Sequence, residues 1–560
     1  MSPVTDAPPV GGDGQNPVQR QESNSLTQTP SVNDVKHEQK ITVAACFLGL
    51  VASVGGFMFG YVSGQISGFF LMEDFLDRFG ELNTTTGERS FSAARQGTIV
   101  GLLSVGCLFG CLIAGRLADV IGRRSTISAS AFFSCVGIII QISSNKTWAQ
   151  FAVGRLIDGL GIGALSVSVP MYQSESSPAI IRGVIVSCYQ LFVTLGIWTS
   201  NMVNYGTNTI SGSASWRIPN GLGFAWALVL GAGILLLPES PRYAFLKGRE
   251  EEARKTIASL AGVDLHAPSV NAEIEEIREK VQEMKEGAET KWYEVFTGPR
   301  MLYRLMLGIL LQSGQQLTGA NFFFYYGTTV FQATGLNNSY VTQVILGSVN
   351  VGCTFGGLVV VKKCGRRSAL IVGALWMMMC FLVYAFVGHF KLDDDDPAST
   401  PQAGTILVAF SCLFIAGFAT TWGPCKFTLT GWSDDVDDSV ACAVGANKIP
   451  VVWTVVAEIY PARYRSTAMG IATASNWLWN FLISFFTRFI VDQIHWLYGL
   501  VFAGCCAALA VLVFFTLNES KDRSLEEIDT MYTTRVNPIT SSKWKGMEAE
   551  AAHKESVRGS

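Results

Sequence analysis

The chain has 560 residues, a mean hydropathy of +0.32, 49% hydrophobic residues and 15% charged residues. Soluble domains average about 25% charged residues, so this composition excludes an ordinary soluble domain. A formal net charge of -3 and a pI of about 6.0 exclude the basic footprint of a nucleic-acid-binding protein. The 13 cysteines are scattered without a CxxC pattern, so we interpret them as small buried hydrophobes and predict no metal site.

The first segment of the chain is polar. Residues 1–40 are rich in Ser, Pro, Gln and Asn, and they lack the apolar core and cleavage site of a signal peptide. We therefore predict a disordered cytoplasmic tail at residues 1–40.

Twelve apolar runs follow, several of them near the roughly 20 residues that cross a hydrocarbon core. They predict an all-α membrane protein with twelve transmembrane helices in two six-helix halves, 41–237 and 301–517. The mixed charges of residues 238–300 predict a cytoplasmic linker of short helices, and residues 518–560 form a polar cytoplasmic tail. The predicted spans are 41–66, 96–117, 125–143, 148–170, 184–204, 217–237, 302–331, 340–361, 368–390, 404–424, 466–490 and 495–516.

Positive charge sets the predicted orientation, because Lys and Arg concentrate in short cytoplasmic loops. Basic residues follow spans 2 and 8 and precede spans 5 and 11, on the same side as the linker and both tails. We predict a plasma-membrane protein with both termini in the cytoplasm. The sequons at Asn83, Asn145 and Asn337 fall on the opposite side, as glycosylation requires.

The two halves share short sequence patterns. GRLADVIGRR (115–124) follows span 2, and KKCGRR (362–367) follows span 8 at the equivalent place. Glu175 and Arg182 follow span 4, and EIYPARYR (458–465) follows span 10. Each of these last two segments places a carboxylate near arginine at a membrane edge, where they can pair and hold one state closed. Anchoring by positive charge alone is the simpler interpretation, but repetition at matching positions favours a gate between two packed repeats.

Six motifs, in order along the chain, resemble the sugar porter family of the major facilitator superfamily, and fungal hexose transporters in particular. The resemblance covers roughly residues 41–532 and implies a major facilitator fold that moves monosaccharides, most of all glucose and related hexoses, by alternating access. It implies no cofactor, and its partners are the sugar and the bilayer. One chain contains both halves, so a monomer would suffice. The motifs are GRLADVIGRR, GRLIDGLGIG, PESPRYAFLKGR, QQLTGANFFFYYGTTVF, EIYPARYRSTAMG and SLEEID.

The same motifs extend the predicted gate. They add the PESPR residues that follow span 6 and an arginine within span 4. The predicted gate residues are Gly115, Arg116, Asp119, Arg123, Arg124, Arg155, Glu175, Arg182, Glu239, Arg242, Arg366, Arg367, Glu458, Arg463 and Arg465.

A sugar ring presents hydroxyls around an apolar face, so its site needs amide donors and acceptors together with an aromatic side chain. Span 7 offers Gln315, Gln316 and Asn321, and polar side chains within a membrane usually face a bundle interior or a cavity. At about 100° per residue, Gln315 and Asn321 would not share one face of a straight helix. Gly319 between them permits a break, which is typical of transporter sites.

The resemblance adds pocket positions in other spans. In span 11, Asn476 lies four residues from Asn480, so both belong to one helix face. Trp453 and Trp477 could form part of an interfacial belt, but they fall inside spans, which weakens that interpretation. The predicted substrate-binding residues are Gln190, Gln315, Gln316, Asn321, Tyr325, Asn350, Trp453, Asn476 and Trp477.

Proton-coupled members of the family carry an aspartate in span 1, and this chain has Val62 there. Val62 cannot titrate, although Arg155, which matches the span 4 arginine of those members, remains. We therefore predict facilitated diffusion, with proton-coupled sugar symport as the alternative. Asp158, one turn from Arg155, could replace the missing carboxylate, but we interpret it as a static partner of Arg155.

A sugar-sensing receptor with the same fold is the alternative from another functional class. Sensors of this kind carry very long cytoplasmic tails, whereas residues 518–560 form a short one. The sequence contains no nucleophile–base pair, metal spacing or phosphate loop that would indicate an enzyme.

An unexpected segment interrupts span 10. In the resembling family this helix is continuous, but here TTWGP (420–424) and VVWTVVAEIYPARYR (451–465) are separated by 26 residues, Cys425–Pro450. Each charge at a helix centre costs about 2.5–3.5 kcal/mol, so the segment cannot lie in lipid. Its aspartates are Asp434, Asp435, Asp437 and Asp438.

Three interpretations of Cys425–Pro450 compete. It could be a hydrated loop in the cavity, a regulatory or metal-binding element that lacks EF-hand spacing, or a segment foreign to the working protein. We favour the last hypothesis, in the form of a retained intron. Cys425–Phe427 can be encoded with a GTAAGT donor, and Pro450–Val451 can supply a CAG acceptor. Excision of the sequence between these two sites would join the two parts of span 10 in the same reading frame.

Overall fold

The computed structural model describes residues 40–82, 87, 89–178, 180–287, 293–334, 338–393, 396, 399–423, 451–461, 464–520, 523 and 525–544. Residues 1–39 of the predicted tail at residues 1–40 lie outside this range, as do Asn83, Asn337 and Arg463. The predicted insert, Cys425–Pro450, lies outside it too.

Long apolar helices build the N-terminal half. A helix in a bilayer satisfies its own backbone hydrogen bonds, and it stays apolar on most sides because it meets lipid as well as protein. The elements are α1 (Val43–Phe69), α2 (Glu73–Phe79), β1 (Glu81–Leu82), β2 (Arg89–Ser90), α3 (Ala93–Ile121), α4 (Arg123–Ser143), α5 (Trp148–Ser176), α6 (Arg182–Thr207) and α7 (Ala214–Leu235).

Short polar helices follow in the linker: α8 (Pro241–Leu246), α9 (Glu250–Ala261), α10 (Pro268–Gly287) and α11 (Glu294–Thr297). A small apolar cluster that includes Ile257 and Ile274 joins α9 to α10. Thr42 Oγ1 donates to the Leu260 carbonyl over 2.6 Å, which fixes the linker to the start of α1. We call this end of the bundle the linker end and the opposite end the far end.

The C-terminal half repeats the pattern of long helices and ends in a packed tail. Arg304, buried within this half, donates to the Asp529 carboxylate over 2.5 Å, so the tail helix is part of the folded body. The elements are α12 (Met301–Leu317), α13 (Ala320–Gln332), α14 (Ser339–Cys364), α15 (Arg366–Lys391), α16 (Pro401–Thr421), α17 (Val451–Ile459), α18 (Arg465–Ile494), α19 (Tyr498–Thr516) and α20 (Leu525–Thr533), with 3-10 turns at His495–Leu497 and Ser541–Lys543.

Helix length and composition agree with a membrane protein. Among the described residues, nine segments are long and apolar enough to cross a bilayer, and one of them, Thr467–Thr516, contains both α18 and α19. The count of twelve spans stays a prediction.

The break predicted inside span 7 is confirmed. α12 ends at Leu317 and α13 begins at Ala320, and Gly319 between them has a φ of 89°. A β-carbon at Gly319 would lie 2.7 Å from the Phe502 ring and 2.9 Å from the Phe381 ring. The break is therefore fixed by aromatic packing as well as by the freedom of glycine at positive φ.

Glycines at every fourth position pack α1 closely against α6. A β-carbon at Gly60 would lie 1.9 Å from the Val193 carbonyl oxygen, and one at Gly56 would lie 2.2 Å from the Tyr189 carbonyl oxygen. Such small-residue faces let helix backbones approach where no hydrophobic effect drives association. They join α1 and α6 into one rigid unit.

The two halves meet toward the far end through hydroxyls. Thr328 Oγ1 of α13 donates to the Ser67 carbonyl of α1, and the Thr328 N–H donates to Ser67 Oγ over 3.1 Å. Tyr340 OH donates to the Gly68 carbonyl over 2.9 Å. These contacts are uncharged, so each is worth only about 0.5–1.5 kcal/mol.

Candidate functional site

A cavity of about 1410 Å³ lies between the halves. Its walls come from α1, α5 and α6 on one side and from α12–α14 and α16–α18 on the other. All nine predicted substrate-binding residues line it: Gln190, Gln315, Gln316, Asn321, Tyr325, Asn350, Trp453, Asn476 and Trp477.

Gln315 is held by three partners at the base of the C-terminal wall. Its Oε1 accepts from Trp453 Nε1 over 3.1 Å and from Asn476 Nδ2 over 3.0 Å. Its Nε2 donates to the Trp422 carbonyl, the last turn after α16, over 2.8 Å. These bonds link α12, α16, α17 and α18, so the orientation of Gln315 depends on all four elements.

Gln316 is the centre of a second set of bonds. Its Nε2 donates to Asn476 Oδ1 over 2.8 Å, and its Oε1 accepts from Asn321 Nδ2 and, over 3.4 Å, from Asn480 Nδ2. Tyr325 OH donates to Asn480 Oδ1 over 3.2 Å. The break at Gly319 brings Gln316 and Asn321 together. Asn480 was absent from the predicted site, although its spacing from Asn476 had indicated a shared helix face.

The N-terminal wall mixes apolar and polar side chains. Phe59, Val193 and Ile197 line it together with Gln190 and Thr194. The Phe59 ring lies 5.5 Å from the Trp477 ring, edge to face, across the boundary between the halves. The cavity therefore offers linked amides on the C-terminal wall and both apolar and polar groups on the N-terminal wall, which matches the hydroxyl edge and the apolar face of a sugar.

Arg155 lies in the core of the N-terminal half and is fully buried. Its Nε donates to the Ile99 carbonyl over 3.3 Å and its Nη1 to the Val62 carbonyl over 3.2 Å. The predicted pairing with Asp158 is not a direct ion pair, because that carboxylate accepts from Ser134 and, over 3.2 Å, from Gln141 Nε2, although the two opposite charges still attract each other. Asp158 therefore ties α5 to α4, while Arg155 ties α5 to α1 and α3.

Several predicted gate residues form a network at the linker end of the N-terminal half. Arg123 donates through Nε and Nη2 to the Glu175 carboxylate over 2.8 and 3.1 Å, a bidentate geometry. Glu239 Oε1 accepts from the N–H groups of Arg123, Arg124 and Ser240 over 3.1, 3.2 and 2.9 Å. Ser240 Oγ donates to Glu175 over 2.5 Å and closes the network.

The C-terminal half repeats this network with its own residues. Arg366 Nη2 donates to Glu458 Oε1 over 2.8 Å. The Glu519 carboxylate accepts from the N–H groups of Arg366 and Arg367 over 3.0 and 3.2 Å. Ser520 Oγ donates to Glu458 Oε2 over 3.0 Å. Glu519 and Ser520 were not predicted, but they could have been found, because Glu-Ser follows the last helix of each half.

The glycine before each Arg-Arg pair makes these networks possible. Gly122 has a φ of 98° and Gly365 a φ of 78°. A β-carbon would lie 2.4 Å from Glu239 Oε2 at Gly122, and 2.8 Å from Glu519 Oε2 at Gly365. Each glycine thus lets a carboxylate approach the N-terminus of α4 or α15, where free N–H groups and the helix dipole favour a negative charge.

Other predicted gate positions differ from expectation. The predicted pairing of Glu175 with Arg182 is wrong, because Arg182 donates to Glu273 of α10 over 3.0 Å and joins the linker to α6. Asp119 adds to the Arg123 pair at 3.1 Å. Gly115 and Arg116 lie in α3, Arg242 in α8, and Arg465 begins α18.

Sequence comparison identifies the family. A profile of the family "Sugar (and other) transporter" matches residues 48–431 and 441–532. The low-affinity glucose transporter HXT1 of Saccharomyces cerevisiae is 41% identical over 507 residues, which cover 90% of this chain and 84% of that protein. The high-affinity fructose transporter ght6 of Schizosaccharomyces pombe is 41% identical over 496 residues, 88% of each chain.

The chain belongs to this sugar transporter family. It is a multi-pass membrane protein that transports sugar, and not an enzyme. Its major facilitator fold is also that of the xylose transporter XylE of Escherichia coli in an inward open conformation. That structure matches with a TM-score of 0.68 at 22% identity and covers 87% of this chain and 99% of XylE.

The family profile leaves out residues 432–440. This gap contains Asp434, Asp435, Asp437 and Asp438, and it is narrower than the predicted insert at Cys425–Pro450. The aspartate run therefore lies outside the part of the chain that the family profile matches.

The hydroxyl contact between Ser67 and Thr328 predicts a conformational lock. In the Ser67→Cys/Thr328→Cys double variant, oxidation should form a disulfide between α1 and α13, because the two side chains already touch. Sugar uptake should fall after oxidation and recover after reduction, since the halves could no longer separate at the far end.

Each single-cysteine variant, oxidised in the same way, serves as the control for the native cysteines. Mass spectrometry measures whether cross-linking is complete. If uptake by the fully cross-linked double variant remains unchanged, this contact does not open during transport.

Proposed function

We propose that this sugar transporter carries glucose and related hexoses by facilitated diffusion. The observation that carries the proposal is the cavity between the halves, where the C-terminal wall presents linked amides and apolar and aromatic side chains lie on both walls. The amides hold one another in fixed orientations, so their free edges need little rearrangement to bind sugar hydroxyls. We assign substrate contact to the nine cavity residues, and Asn480 joins them.

The names of the relatives support hexoses as the substrates, since they include transporters of glucose and of fructose. The cavity chemistry is consistent with either sugar, because both present several hydroxyls for amides such as Gln316 and Asn321.

The linker end is the cytoplasmic end in our proposal, which puts both termini in the cytoplasm of a plasma-membrane protein. The arginines of the two networks lie at this end, as positive charge does on cytoplasmic surfaces. Asn145 lies exposed toward the far end, where a glycan on it would be extracellular. The contacts between Ser67 and Thr328 then close the outer side, and the cavity serves the cytoplasm in this state.

The networks at Arg123 and Arg366 act as parts of the gate in this proposal. Each joins three segments of one half, so the half moves as a unit while contacts between the halves break and form. A monomer contains both halves and suffices for this cycle.

Facilitated diffusion follows from the surroundings of Arg155. Its hydrogen bonds go to the carbonyls of Val62 and Ile99, which do not titrate. Asp158, the substitute carboxylate, is bound by Ser134 and Gln141 within the N-terminal half. Proton coupling through Asp158 would require its protonation to change these hydrogen bonds in each transport cycle. Proton-coupled symport therefore stays the alternative.

Gln316→Leu should raise the KM for glucose about tenfold, because it removes an amide from the centre of the cavity network and leaves its partners without bonds. Labelled glucose uptake in yeast without hexose transporters, at matched surface amounts, measures this.

Gln150→Leu is the control, since Gln150 is exposed and lies outside the cavity. A KM for Gln316→Leu within twofold of the unchanged chain would remove this residue from the substrate site.

Collapse of the proton gradient should leave initial glucose uptake unchanged, because Val62 cannot bind a proton. The measurement compares uptake with and without a protonophore in liposomes that contain the purified protein. The Val62→Asp variant is compared with the unchanged chain in the same assay, because the new carboxylate would lie beside Arg155. Uptake by the unchanged chain that requires the gradient would establish symport instead.

Deletion of Cys425–Pro450 should increase glucose uptake at matched surface expression, because it restores a continuous span 10 beside Trp453. The comparison is made between the full chain and the deleted chain in the same yeast strain. Equal uptake from both would reject the hypothesis that the segment is foreign to the working protein.

A further inference from the structure

The carboxyl-terminal segment 537–544 lies against the C-terminal network. The Glu519 N–H donates to Ser541 Oγ over 3.0 Å, and Ser541 Oγ donates to the Pro538 carbonyl over 2.7 Å. Ser541 is fully buried although its neighbour Ser542 is exposed. The hydroxyl of Ser541 is therefore engaged both as donor and as acceptor, and it touches the residue that caps α15.

Arg523 ties the same segment down from the other side. Its Nη2 donates to the carbonyls of Ser541 and Trp544, each over 2.9 Å. Its guanidinium lies 5.3 Å from the centroid of the Trp544 ring, within the range of a cation–π contact. Two carbonyls and a ring thus fix the turn that presents Ser541 to Glu519.

Segment 537–544 and the tail helix α20 meet at the same network. A small pocket lined by Glu458, Glu519, Ile528 and Tyr532 among others lies between α20 and the network. The Ser541 hydroxyl reaches Glu519 beside this pocket.

In the part of the chain that the structure describes, no such segment supports the N-terminal network. Glu239 has the role of Glu519, and it is followed directly by Ser240 and α8. The two networks share their chemistry and differ in what supports the capping carboxylate. The N-terminal network is therefore an internal reference for the effect of the tail.

We propose that residues 537–544 form a clasp that holds Glu519 on the N-terminus of α15 and thereby sets the rate at which the C-terminal half changes state. The clasp acts on the Arg366–Glu458 pair through Glu519. It is a regulatory device in addition to sugar transport, and modification or displacement of the tail would control it. The proposal rests on the network and not on the identity of the sugar.

Hydrogen–deuterium exchange of the purified full-length protein tests the clasp. In Ser541→Ala, the Arg366 and Arg367 amides should exchange about fivefold faster, because the loss of one hydrogen bond loosens their acceptor Glu519. The amides of Arg123 and Arg124 should not change in the same sample. Ser542→Ala, which makes the same chemical change on an exposed neighbour, should leave both pairs unchanged.

Trp544→Ala and Trp544→Phe form a second test that avoids the buried hydroxyl, and it decides the question if Ser541→Ala yields no folded protein. Trp544→Ala should speed exchange at Arg366, whereas Trp544→Phe keeps a ring for Arg523 and should retain most of the protection. Transport by Ser541→Ala should show a changed Vmax for glucose with an unchanged KM.

Two results would overturn the clasp: equal exchange in Ser541→Ala and Ser542→Ala, or faster exchange at Arg123 to the same extent as at Arg366. An exchange difference with no change in Vmax would overturn its effect on the rate. Exchange needs no sugar, so a failure of the proposed substrate would leave the exchange test intact.

Discussion

A polar group inside a bilayer has no water to bind, so partners within the chain stabilise it. Arg155 shows one solution, because Nε and Nη1 of its buried guanidinium donate to two main-chain carbonyls in the absence of an aspartate at position 62. The cavity amides bond to one another. Gln315 and Gln316 join four helices in doing so, and the proposed substrate site is consequently part of what holds the C-terminal half together.

The two halves solve a second problem in the same way, at their cytoplasmic edges in our proposal. Glu239 after α7 caps the start of α4, and Glu519 after α19 caps the start of α15. The first arginine of each capped helix, Arg123 or Arg366, pairs with a second carboxylate. Gly122 and Gly365, which precede these helices, must be glycine because the capping carboxylate lies too close to leave room for a β-carbon. The chemistry is shared, but Glu239 leads into the linker whereas Glu519 leads into the tail, so each half is open to control by a different segment.

The contacts described above between the halves are uncharged. Ser67 meets Thr328 through hydroxyls, and Phe59 meets Trp477 through rings, while the Arg123–Glu175 and Arg366–Glu458 pairs each lie inside one half. Alternating access requires this division, because surfaces that separate in every transport cycle must be held by contacts that need little free energy to break. The linked amides on the C-terminal wall suit a mechanism in which that half holds most of the sugar hydroxyls and the other half closes over them.

Much of this could be predicted from the sequence, because bilayer physics leaves few choices. Apolar runs of spanning length determined the helices, Gly319 determined the break, and the repeated Gly-Arg-Arg pattern located the networks. The nine predicted pocket residues line one cavity, but five of them (Gln190, Asn350, Trp453, Asn476 and Trp477) were implied by the family resemblance and not by the physics of the bilayer. Pairing is different, since Asp158 lies one turn from Arg155 yet bonds to Ser134 and Gln141, and Arg182 bonds to Glu273 of the linker. Only the tertiary structure decided which partner each charge takes, because neighbours in space come from helices far apart in the chain. The sequence by itself determined that the buried charged groups need hydrogen-bond partners, and the packing of the helices determined which groups those partners are.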